Sequence, residues 1–227
     1  MSDEHPVPKR SPGDAAHALL KAGLSVVPVV GGPAVELFQY LIQPPLEKRR
    51  EEWMASVGEA LSKLEREGMK IENLRDNEQF VSVVMQASII AVRTHQHEKL
   101  EMLRNAVLNV ATGQSTDESL QAMFLSFVDV FTEWHMRVLR FAQAPSSSIN
   151  LMSGALGHVL ERAFPALQGQ REFYDTIWRD LFQRSLVNTD GLHAMMTSSG
   201  LLEKRTTGHG DKFVAFVTAP KQRVDEI

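Results

Sequence analysis

The segment "RTHQHEKLE", residues 93–101, gathers His95, His97, Glu98 and Glu101, the residue types that ligate divalent metals or carry protons. Their spacing decides what they do. Two histidines grip one ion from a helix at i and i+3 or i+4, where both rings share a face. His95 and His97 stand at i and i+2 and diverge on a helix. His97 and Glu101 are at i and i+4, yet two ligands fall short of a centre. The expectation is a helix joint, with no metal and no cofactor.

The other chemistry-bearing residues read the same way. His135 in "TEWHMRVLRF" and His158 in "GALGHVLER" stand alone beside apolar neighbours, as core-edge histidines do. "TTGHGDK" sets His209 and Asp211 in a glycine turn, without the glycine spacing or strand–loop–helix context of a phosphate loop. Ser146 to Ser148 form a capping loop, and Ser153 lies outside any nucleophile-elbow pattern. With no cysteine there is no thiol nucleophile, thiolate metal site or disulfide. No catalytic residue emerges, and the chain reads as a non-enzyme.

The elements around these residues are helical. "PLEKRREEWMASVGEALSKLEREG" puts Trp53, Val57, Leu61 and Leu64 on one stripe of a charged cylinder, closed by Gly68. "DNEQFVSVVMQASIIAVRTH" is capped by Asp76 or Asn77 and has an apolar face broad enough to be central. "HEKLEMLRNAVLNVATG" repeats Leu100, Leu103, Val107 and Val110 and stops at Gly113. A longer helix opening at Ser115 or Thr116 bends near Thr132 and ends before Pro145. Two more follow, in "SSSINLMSGALGHVLERAFPAL" and "REFYDTIWRDLFQRSLV". The fold class is all-α: a multi-helix bundle with a small winged-helix-like unit ending in a β-hairpin at its C-terminal end. Residues 1–10 read as a disordered tail, 11–145 as the bundle, 146–219 as the winged-helix-like unit and 220–227 as a second tail.

Residues 22–43 form an apolar stretch with the single charge Glu36, broken by Pro28 and by Gly31, Gly32 and Pro33. Its length would permit a membrane span. The breaks leave two halves too short to cross alone, and a bare carboxylate near mid-membrane costs about 2.5–3.5 kcal/mol. A buried helical hairpin is the expected state, with Pro44 and Pro45 starting the next helix. A hairpin that leaves the core for lipid is the alternative, carried by Val30, Gly31, Gly32, Val35 and Phe38. The run Lys48, Arg49, Arg50 would then sit near headgroups.

The last forty residues suggest a short helix capped at Asn188 or Thr189. Two strands follow, Lys204 to Thr207 and Phe213 to Val217, around a Gly208–Asp211 turn. A DNA-binding wing would use Lys204, Arg205 and Lys212. The helix that would enter the groove, "TDGLHAMMTSS", has no Lys or Arg to read bases or phosphates. A net charge of −4 gives no general pull toward nucleic acid. Trp53, Trp134, Met195 and Met196 are instead candidates for protein contact, since aromatics and Met are enriched at interfaces.

Two stretches carry a resemblance. "PVVGGPAVELFQYLIQPPLEKRREEW" is similar to segments of bacterial helical proteins without an assigned activity. "GLLEKRTTGHGDKFVAFV", with Thr207, Gly210 and Phe213, resembles the ending of the abortive-infection alpha type of phage-defence-associated proteins. The resemblance implies a bacterial origin and a defence or stress role, and it transfers no active-site residue. The N-terminus lacks the order of a secretory signal, and the missing cysteines suit a cytoplasmic setting. The expected function is protein–protein contact or self-association in the cytoplasm, possible membrane association following from the hairpin alternative. A membrane-active effector and a DNA-associated regulator are the alternatives.

Overall fold

The computed structural model describes residues 33–114, 117–145 and 153–220, residues 33–44 as backbone. Contacts divide the chain into two compact units, Met1–Pro45 and Leu46–Ile227. The fold is all-α with a small two-stranded antiparallel sheet toward the C-terminal end, as the residue patterns anticipate.

Helix α1 runs Pro33–Arg66 and α2 Glu78–Arg93, with a 3-10 turn at Ile71–Leu74 between them. Gly68 closes α1 at φ +94°, a conformation that glycine adopts without a Cβ clash. Asn77 caps α2 by accepting the Phe80 N–H at 3.0 Å. Helix α3, His97–Ala111, packs on both α2 and α4, Glu118–Val130. Asn105 through Val110 of α3 are all buried, so this helix is the axis of the core. The expected bend near Thr132 is a full break: α4 ends at Val130 and α5, Glu133–Gln143, begins two residues past Phe131.

The remaining elements are strand β1, Ser153–Ala155, helix α6, Leu156–Ala163, a 3-10 turn at Pro165–Leu167 and helix α7, Arg171–Gln183. Strand β2, Met195–Thr197, the four-residue helix α8, Ser198–Leu201, and helix α9, Gly208–Val217, complete the chain. β1 and β2 pair antiparallel with Gly154 opposite Met196. One continuous core reaches from Trp53 through the aromatic layer of Phe124, Phe127 and Phe131 to Phe213, Phe216 and Val217.

Four local expectations are corrected. Pro44 and Pro45 do not begin a helix; α1 runs through them. Proline's fixed φ is compatible with a helix, but the pair removes two ladder donors and its rings crowd the carbonyls one turn back, so α1 continues through them at a local cost. The hairpin placed at residues 204–217 is not there, because 208–217 form α9. The sheet is made by β1 and β2, segments read as helical in the sequence. Nor does a helix start at Asn188 or Thr189; the chain stays irregular until β2.

α9 is a helix because its partners require one. Thr207 caps it, accepting the Gly210 N–H at 3.0 Å. At its other end the last carbonyls lack ladder donors. Asn105 Nδ2 supplies one to Val217 O at 3.1 Å. Asn109 Nδ2 lies 3.2, 2.9 and 2.7 Å from the carbonyls of Ala215, Phe216 and Thr218. A four-residue spacing on α3 thus aims two amides at one helix end.

Candidate functional site

The ionisable clusters are held by the fold. Asp211, in the first turn of α9, accepts from Thr206 Oγ1 at 2.7 Å, from Gln143 Nε2 at 3.4 Å and from Lys204. Burial would raise its carboxyl, yet these hydrogen bonds hold it below the usual aspartate value. His193 Nε2 meets both Asp175 oxygens, at 2.7 and 3.0 Å. The other side of that ring lies against Gly157, where an added Cβ would stand 3.3 Å from Nδ1. One nitrogen is paired and the other faces a helix backbone, so this histidine locks α6 to α7. Neighbouring Tyr174 donates to Glu161 at 3.0 Å, and burial together with that carboxylate pushes its phenol up to about 12. The sequence reading missed the His193–Asp175 pair, because eighteen residues of irregular chain and helix separate the partners.

His135 is the most enclosed histidine pairing. Its Nδ1 accepts the Thr132 N–H at 3.2 Å and lies 2.9 Å from Thr132 Oγ1, while Nε2 reaches Asp180 Oδ2 at 3.4 Å. Burial lowers its pKa, against the pull of Asp180. His95 and His97 are where the spacing put them, in the α2–α3 joint and at the start of α3. Among the described residues no His, Asp or Glu group gathers three potential metal ligands.

The four contact candidates separate. Trp53 is core, 3% exposed, its indole donating to Ser88 Oγ at 2.9 Å. Trp134 is half-buried, edge-on to Phe164 and Phe173 with the Arg137 guanidinium 5.2 Å from its ring. Met196 packs partly against the core. Met195 stands out at 73% exposure, and Leu202, which the sequence reading passed over, is 45% exposed.

Met195 and Leu202 bracket a built surface. β1 holds β2 through the Ala155–Met195 pair, and Thr197 caps α8 by accepting the Gly200 N–H at 3.4 Å. Arg205 lies buried beneath, donating to the Gly200 carbonyl and reaching Met196 Sδ at 3.3 Å. From Ala194 to Leu202 the chain carries no charged residue, and all of it except Leu201 is exposed or half-exposed.

The same geometry dismantles the expected wing. Arg205 is buried, Lys204 is tied to Asp211, and Lys212 sits exposed on α9. The three cations therefore do not form a hairpin face that tracks a phosphate backbone. Of the hairpin candidates, Val30, Gly31 and Gly32 lie outside the described residues; Val35 and Phe38 fall on the helical backbone of α1. Among the described residues no helix is long and apolar enough to cross a membrane. The chain matches no protein-family model, no curated protein and no solved structure.

Proposed function

We propose that this chain is a non-enzymatic helical protein that works in the cytoplasm by binding another protein, or a second copy of itself, through the Ala194–Leu202 surface. The observation that carries this reading is Met195: a large apolar side chain, 73% exposed, on a paired strand within an uncharged stretch. Interface cores are depleted in charge and enriched in Met, whose flexible thioether adapts to varied partners. The buried Arg205 holds the surface in shape before binding, which lowers the ordering cost of association. The resemblance of the two bacterial segments adds the setting: a partner drawn from a defence or stress response.

A photocrosslinking amino acid placed at position 195 in producing cells tests this directly. The expected result is a discrete adduct, with a mass that separates a second copy from a different protein. The same group at Glu65, an exposed position on α1, gives none. Smears at both positions, or adducts of equal pattern, would sink the reading. Once the partner is in hand, Met195→Asp weakens binding by roughly 30-fold, the effect of about 2 kcal/mol at an interface hot spot.

A further inference from the structure

The break between α4 and α5 is closed by an unusual residue. A capping box ordinarily places Glu or Gln at the third helical position, whose side chain accepts the N–H of the cap residue. In α5 that position is His135, which accepts the Thr132 N–H through Nδ1. An imidazole accepts there only while neutral. As imidazolium, both nitrogens donate: Nδ1 would turn its proton toward Thr132 Oγ1, 2.9 Å away, and face the Thr132 N–H donor to donor.

The tautomer follows from the contacts. Nδ1 accepts, so the proton sits on Nε2, which donates to Asp180 Oδ2 at 3.4 Å. The ring stacks on Phe131, centroids 4.7 Å apart and nearly parallel, and Phe131 is itself 1% exposed. One imidazole therefore holds the first turn of α5, the last residue after α4, and α7.

The charges around it oppose a second proton. Arg184, the residue that caps the C-terminal end of α7, holds its guanidinium 5.4 Å from the Phe131 ring. Lys99 of α3 donates to Asp129 O at 2.9 Å, and both cations act on His135. From α9 the nearest face is Phe213, uncharged, 5.9 Å from Phe131, with His209 beyond it at 6.4 Å from Phe127. Among the described residues, Asp180 is the carboxylate that favours the imidazolium. A cation in the first turn of α5 also meets the positive end of the helix dipole.

We propose that the α4–α5 junction is an acid-operated latch, shut by neutral His135 and released when that ring is protonated. Release frees the Thr132 N–H, loosens the first turn of α5 and opens the aromatic layer at Phe131. Burial sets the pKa below the ordinary 6.5, so the latch is shut at neutral pH and yields as pH falls below that value.

The test follows His135 and Thr132 together in the full chain by NMR. At pH 7.5 the ring nitrogens report the Nε2–H tautomer. As the ring titrates below pH 6.5, Thr132 amide protection, corrected for intrinsic exchange, falls about tenfold. His135→Gln restores the usual acceptor, so its Thr132 protection stays flat over the same range. Titration of His135 with Thr132 protection unchanged would overturn the latch, as would a ring that stays neutral down to pH 4. A folded Gln variant that loses protection like the wild type overturns it equally. If that variant does not fold, the wild-type titration still decides between the first two results.

Discussion

Single atoms decide several positions in this fold, and Gly210 is the sharpest. A Cβ added there would stand 2.2 Å from the Leu186 carbonyl oxygen, a backbone atom that cannot swing away. Gly210→Ala should therefore cost at least the upper part of the usual overpacking range, about 3 kcal/mol. Gly208, one residue into α9, meets nothing within 4 Å, so Gly208→Ala should be neutral or stabilise by about 0.4–1 kcal/mol. Urea midpoints of the two variants check the contrast; equal midpoints would mean that α9 does not lie against residue 186. Asn109 is decided by satisfaction rather than space. Replacing it with Leu takes a donor from the carbonyls of Phe216 and Thr218, while Ala215 O keeps the Thr218 N–H, and stability should fall by about 1–3 kcal/mol.

At the scale of elements, the question is why "TTGHGDKFVAFV" is a helix. Two glycines and a run of Phe and Val favour a turn and a strand locally. Yet Phe213, Phe216 and Val217 are buried at helical spacing, with Gly210 three residues earlier giving the close approach. Tertiary contact overrides propensity here. Thr207 is then a helix cap rather than a strand end: Thr207→Ala should cost about 1 kcal/mol, with Thr207→Ser restoring most of it in thermal unfolding. The same contrast explains what was legible. α2, α3 and the break at Thr132 show through because their apolar stripes run for many residues and are bounded by caps and glycines. β1 and β2 are three residues each, too short for alternation to register, and their pairing spans forty residues of chain. Met195 was visible as a residue type; its exposure depends on β1 and on Arg205, neither of which a local pattern reveals.

For the molecule as a whole, pH should act in two stages with the same sign. His135 and His209 are both lowered from 6.5, chiefly by burial, with Lys212 adding to the effect at His209. A group held below its unfolded pKa contributes stability that is complete above the unfolded value and lost as pH falls through the folded one. The first loss therefore begins below pH 6.5. Asp211 is lowered from 3.8 by its hydrogen bonds, so its contribution persists through that stage and disappears only in stronger acid. Thermal midpoints measured from pH 7.5 to pH 2.5 should show a decline below 6.5, a shallower stretch, then a second decline below 3.8. In the double variant His135→Gln, His209→Gln the first decline flattens and the second remains, because Asp211 keeps Thr206, Gln143 and Lys204. A first decline of full size in that variant would show that neither His135 nor His209 causes it. The two stages thus separate the aromatic layer at Phe131 from the cap of α9 within one core.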